Sequence, residues 1–120
     1  TAHHYSAAHP SATNKAYVEA FQRANPGMRP NFMSVGGYDG MHALYEGLKK
    51  TNGQGGEALV EAMKGLSWES PRGPMSIDPE TRDIIQNVYI RKVERVNGEL
   101  HNVEFHTIPN VKDPAKAAKK

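Results

Sequence analysis

Residues 88–108 read VYIRKVERVNGELHNVEFHTI, and this stretch decides how the second half of the chain folds. Two runs rich in β-branched and aromatic residues, Val88 to Val96 and Leu100 to Ile108, flank the pair Asn97-Gly98. A two-residue type I′ turn needs positive φ at both central positions, and Asn-Gly meets that need while matching the twist of the strands. The stretch therefore reads as a β-hairpin in which Val96 pairs with Glu99. Counting outward sets Arg91 opposite Glu104 and Ile90 opposite Phe105. Alternation then puts Val88, Ile90, Val103 and Phe105 on one face, expected to be buried, and Arg91 with Glu104 on the other, expected to be solvated.

Upstream of the hairpin, Pro71, Gly73, Pro74, Asp78 and Pro79 are turn residues around a short strand at Met75 to Ile77. Trp68 precedes them as a packing anchor. Further back the period changes from two to 3.6. Thr13 is placed to cap a helix running to about Asn25, with Tyr17, Phe21 and Ala24 on one face. Asn25-Pro26-Gly27 ends it. Phe32, Met33 and Val35 read as a short apolar run closing at Gly36-Gly37, after which a second helix begins at Tyr38. Met41, Leu44, Tyr45 and Leu48 mark its apolar side, and Lys49 and Lys50 suit its negative end. After Asn52-Gly53 and Gly55-Gly56, a third helix from about Glu57 to Lys64 carries Leu59 and Met63, with Leu66 beyond it. Residues 1–12 are polar and read as a connector. The fold class is α/β: about three helices, then a short strand and a hairpin.

The 120 residues fit one domain, and 38% hydrophobic content permits only a thin core from this chain alone. Net charge is +2, with the two signs interspersed, which argues against nucleic acid as a partner. The one basic run, Lys112 to Lys120, reads as a solvated end, with residues 115–120 expected to be a disordered tail. There is no cysteine, so neither a disulfide nor a thiolate is available. No segment approaches the ~20 apolar residues that cross a bilayer.

Several groups could carry chemistry. His3, His4 and His9 cluster in the connector, but no Cys, Asp or Glu stands near them to complete a ligand set, so no metal is expected. Gly36-Gly37-Tyr38-Asp39-Gly40 matches neither the dinucleotide fingerprint nor the P-loop. It reads either as a helix N-terminus able to receive a carboxylate or as a glycine pair allowing close packing. No nucleophile elbow or ordered Ser/His/Asp spacing is present, and Asp78-Pro79-Glu80 sits in a turn, so no enzyme and no cofactor are expected. Tyr5, an aromatic with a hydroxyl in a polar connector, suits a pocket wall.

Four stretches in order carry a family likeness. They are Tyr5 followed by Asn14-Lys15-Ala16-Tyr17-Val18; Gly36-Gly37-Tyr38-Asp39-Gly40-Met41; Ser67-Trp68-Glu69-Ser70-Pro71-Arg72-Gly73-Pro74; and Asp78-Pro79-Glu80-Thr81-Arg82-Asp83. With the hairpin ending at Ile108-Pro109, they resemble the C-terminal part of the type I periplasmic solute-binding proteins of ABC importers, the branched-chain amino-acid-binding-protein family.

The resemblance implies a two-lobed α/β protein that traps a solute in a cleft and presents it to a membrane permease. Residues 1–114 would be the C-terminal part of that domain, incomplete without the upstream lobes. The protein would be exported to the periplasm, with its signal peptide outside this stretch. The resemblance places Tyr38 against the solute side chain, with Tyr5, Gly37 and Asp39 as further ligand-binding candidates. The solute would be an amino acid or a related small carboxylic acid. The apolar helix faces would need covering, by self-association or by the missing part of the chain. A free-standing α/β protein-interaction module is the alternative, and a contiguous exposed apolar or basic patch would mark it.

Overall fold

The computed structural model describes residues 1–117. Strand β1 (Ala2–His3) leads through a connector to α1 (Ala12–Ala24), α2 (Phe32–Lys50) and α3 (Gly56–Met63). The strands β2 (Ser67–Ser70), β3 (Gly73–Ile77), β4 (Ile84–Val96) and β5 (Glu99–Val111) follow, and then the single turn α4 (Pro114–Ala117). The five strands form one antiparallel sheet in which the long β4 is central. One of its edges carries β5, and the other carries β3 and β1 end to end.

The hairpin turn has the expected form, with φ of 50° at Asn97 and 86° at Gly98. Pairing runs as counted from Val96↔Glu99 to Arg91↔Glu104. There β5 carries one residue more than β4, so that Ile90 faces His106 and the expected Ile90–Phe105 pair does not form. Burial is reversed from expectation at two positions: Phe105 is 61% exposed and the Glu104 side chain only 10% exposed, while Val88, Ile90 and Val103 are half-buried. The cause is the connector, which crosses the Arg91/Glu104 face and bonds to it. Arg91 Nη1 donates to Tyr5 O at 2.6 Å, Ser6 Oγ donates to Asn102 O at 2.6 Å, and His9 Nδ1 lies 2.6 Å from Glu104 Oε2.

Helix α1 is capped two residues before the expected Thr13. Ser11 Oγ accepts from Asn14 N at 3.1 Å, and this earlier cap makes Asn14 the third helical residue where the expected cap would make it the first. Asn14 is fully buried, where Nδ2 donates to Ala7 O and His9 O and Oδ1 accepts from the Tyr5 hydroxyl. The larger correction is in α2. It begins at Phe32, not Tyr38, so Phe32, Met33 and Val35 are helical and Gly36-Gly37 lie inside the helix. Asn31 Oδ1 accepts from Met33 N and Ser34 N, and Ser34 Oγ accepts from Asn31 N, a reciprocal capping box. That box and the burial of Val35, Asp39, Ala43 and Gly47 at strict four-residue spacing outweigh the ~1 kcal/mol that each interior glycine costs.

Tyr5, Tyr17 and Val35 form a small core, with Val18 and Phe21 packed against it. The third helix buries no residue fully, but its Leu59 and Met63 pack where Gly47 lets α2 approach. Beyond it the sheet has a strand that the residue pattern did not predict. β2 pairs with β3 across the turn Pro71-Arg72, and Ser70 faces Gly73. Gly73 has φ of +97°, and a Cβ there would lie 2.3 Å from Tyr89 Oη. Gly73→Ala is therefore expected to cost about 1–3 kcal/mol through backbone strain and displacement of the Tyr89 ring. Urea unfolding would measure this, and a change under about 0.5 kcal/mol would contradict the expectation.

At the other end, α4 places Lys116 Nζ 2.7 Å from Asp83, and Lys112 Nζ lies 2.9 Å from Asp78. The first part of the expected disordered tail is thus a docked helical turn, and residues 118–120 lie outside the described residues. The Cα radius of gyration is 15.9 Å, against about 13.6 Å for a compact domain of this length. In this flat slab Met33, Tyr38, Met41 and Tyr45 of α2 stay exposed, as do Val93, Leu100 and Ile108 of the hairpin.

Candidate ligand-binding site

Tyr38 and Asp39 are neighbours on α2 with opposite fates. Asp39 sits on the buried stripe, and Tyr38, one helical step round, is 50% exposed. The Tyr38 ring rests on Tyr17, with centroids 4.8 Å apart and planes at 52°. Tyr17 is itself held by donation from its hydroxyl to Ser34 Oγ at 2.9 Å and by the rings of Tyr5 and Phe21. Burial pushes the Tyr17 phenol above its ordinary pKa, partly offset by the Ser34 bond, so it stays a neutral donor. Tyr38 thus presents an aromatic face on a fixed seat.

Asp39 anchors the helix to the β2–β3 hairpin. Its Oδ1 accepts from Trp68 Nε1 at 3.2 Å, and its Oδ2 accepts from Ser70 Oγ at 2.9 Å and Arg72 Nε at 2.8 Å. Both carboxylate oxygens are engaged within the protein, so Asp39 acts on its surroundings through Arg72 and Trp68. Gly37 is exposed, and a Cβ there would meet nothing within 4 Å, so neither expected role for the glycine pair holds within this chain. Its backbone is inside a helix, not at a free N-terminus. Tyr5 is 3% exposed and lies beneath Tyr17; burial, followed by the nearby Tyr17 and Glu104, pushes its phenol far up.

Of the three connector histidines, His3 and His4 come together, whereas His9 meets Glu104. His3 and His4 stack at 4.3 Å between centroids, and the Phe32 ring tilts against His3 at 5.0 Å. His4 is held down to about 4 by burial first and then by the charge of Arg72, so it is neutral at physiological pH. Beside this stack a cavity of about 350 Å³ opens, lined among others by His3, Tyr5, Asn31, Phe32, Arg91 and His101. Among the described residues, no three of His, Asp and Glu come together as a metal would require. Asp78 is a turn acceptor: Oδ1 takes the N–H groups of Glu80 and Thr81, and the Lys112 ammonium foremost holds its carboxyl below the usual range.

Sequence reasoning missed Arg72 and Ser70 as parts of this arrangement. Both lie between Ser67 and Pro74, a stretch that carries the family likeness, but the residue they meet is more than thirty positions away.

The sequence profile of the family described as "Periplasmic binding protein" matches residues 1–99. The Leu/Ile/Val-binding protein homolog 6 of Brucella abortus is 44% identical over 122 residues, covering 98% of this chain and 31% of its own length. A solute-binding protein of an ABC transporter from Rhodopseudomonas palustris BisB5, solved in complex with 3,4-dihydroxybenzoic acid, superimposes with a TM-score of 0.93 at 64% identity. That match covers 97% of this chain and 32% of the other. A second such protein, from Rhodopseudomonas palustris HaA2 in complex with p-hydroxybenzoic acid, gives a TM-score of 0.90 at 40% identity over 100% of this chain and 33% of its own. The chain spans about a third of the length of these relatives. With the profile match running through both Tyr38 and Arg72, the chain belongs to the periplasmic binding protein family.

Proposed function

We propose that this chain is part of the solute-binding receptor of an ABC import system, working outside the cytoplasmic membrane and handing its ligand to a membrane permease. The observation that carries this reading is the 64% identity and 0.93 TM-score to a solute-binding protein over nearly the whole chain. The solute is a small carboxylic acid. Aromatic acids are favoured over amino acids because the solute-binding proteins from the BisB5 and HaA2 strains both hold hydroxybenzoates. The protein binds its solute without transforming it, as the relatives' transport role supports.

In this reading Tyr38 forms one wall of the cleft and Gly37 the open helix surface beside it. Tyr5 supports the wall from below through Tyr17, and Asp39 acts indirectly by holding the helix in place. The exposed apolar residues of α2 and the hairpin pack against the remainder of the protein. An isolated chain 1–120 is accordingly expected to associate or to bind the solute weakly, since the facing wall is absent.

Tyr38→Ala in the full-length protein should weaken binding by about 1–3 kcal/mol, the scale of losing a packed aromatic group from a pocket. Calorimetry with 3,4-dihydroxybenzoate, 4-hydroxybenzoate and leucine measures it. Unchanged affinity in the variant removes Tyr38 from the cleft. A wild-type protein that binds none of the three argues against a receptor for this class of solute.

A further inference from the structure

Arg72 lies in the tight turn between β2 and β3 and is 8% exposed, unusual for an arginine in a turn. Its Nε donates to Asp39 Oδ2 and lies 3.0 Å from Met75 Sδ. Its Nη1 and Nη2 make no hydrogen bond to the described residues, and neither is among the fully buried atoms lacking a partner. The small accessible part of this side chain therefore includes the outer edge of the guanidinium, the edge whose two parallel N–H groups fit a carboxylate. We propose that Arg72 binds the carboxylate of the solute end-on through Nη1 and Nη2; this deepens the receptor reading and rests on it.

The surroundings prepare that edge. Asp39 shares its charge among Trp68 Nε1, Ser70 Oγ and Arg72 Nε, so it orients the guanidinium from the side without occupying its outer edge. The backbone of Arg72 is tied at both ends: its N–H donates to Ser70 Oγ at 3.2 Å, and its carbonyl accepts from the Tyr89 hydroxyl at 2.7 Å. The ring of His4 is neutral and within range of the Arg72 charge, so it adds no competing cation. A buried, laterally braced guanidinium loses little conformational freedom on binding, and low local polarity strengthens its pairing with an anion. The shared ligand chemistry is a monocarboxylate, which an aromatic acid or an amino acid would both supply.

The test uses the full-length protein and calorimetry with two acid–amide pairs, 3,4-dihydroxybenzoate with 3,4-dihydroxybenzamide and leucine with leucinamide. Whichever acid the wild-type protein binds identifies the source of the carboxylate. In Arg72→Gln, affinity for that acid should fall about 10- to 100-fold, the scale of a lost charge-assisted hydrogen-bond pair, while affinity for its amide stays within about 3-fold. Because Arg72→Gln leaves Asp39 buried without its cation, the double variant Asp39→Asn/Arg72→Gln is measured alongside, with the same collapse of the acid-to-amide ratio expected. Equal losses for acid and amide, or unchanged acid affinity, would overturn the role of Arg72 while leaving the receptor reading intact. A wild-type protein that binds neither of these acids nor 4-hydroxybenzoate argues against a receptor for this class of solute, and the proposal falls with that reading.

Discussion

Asp39→Ala is expected to destabilise the full-length protein by about 3–5 kcal/mol, because it strands a buried guanidinium. In the wild-type protein the Asp39 carboxylate is the acceptor for Arg72 Nε, Trp68 Nε1 and Ser70 Oγ, and Asp39 is 3% exposed. Removing it takes the carboxylate from three donors, one of them charged, with little access to water and only the weak Met75 Sδ acceptor left to its Nε. Asp39→Asn keeps the shape and one acceptor oxygen, so it should fall between alanine and wild type. The double variant Asp39→Asn/Arg72→Gln removes both charges together and should recover much of the loss, since replacing a buried pair is far less costly than breaking one. Urea midpoints at constant slope report these differences. A loss under about 1 kcal/mol for Asp39→Ala would mean that the network contributes no more than a surface ion pair.

Tyr17→Ala should cost a comparable 3–5 kcal/mol, roughly the range for emptying a buried aromatic site. Tyr17 is in contact with Tyr5, Phe21 and Tyr38 and packs in the core with Val35, so its ring is the centre of the small cluster that joins the connector to α1 and α2. Tyr17→Phe keeps that packing and loses only the bond to Ser34, for about 1 kcal/mol. The two variants also separate stability from binding. The ring supports Tyr38, so solute affinity should drop in Tyr17→Ala and hold in Tyr17→Phe. Equal stability of the two would show that the hydroxyl, not the ring, carries the effect.

Features written in short-range residue patterns are legible in the sequence alone. Asn97-Gly98 set the hairpin turn, and the register followed as far as Arg91↔Glu104 because pairing outward from a two-residue turn is fixed until an extra residue intervenes. The Tyr17/Phe21 face followed from helical spacing, and the family followed from four ordered stretches. The start of α2 is written there too, in Asn31 and Ser34 three residues apart. The glycine pair nevertheless outweighs it as a local signal, because the bonds of the cap are displayed only by the folded chain.

Other features depended on contacts between distant residues. The hairpin face that is buried was decided by the connector, whose Ser6 and His9 meet residues 96 and 95 positions away. Alternation identifies two faces but does not say which one another segment will cover. The extra residue at Phe105 likewise belongs to the pairing of two strands, not to either strand alone. Asp39 is among the ligand-binding candidates that the family likeness implies. Its partners Trp68, Ser70 and Arg72 lie 29, 31 and 33 positions along the chain, and only the tertiary structure brings them to its carboxylate. Local sequence thus determined the elements, the turn and the family. Tertiary packing decided which faces are buried and where the charges pair, because burial and ion pairing require groups that are far apart in sequence to meet.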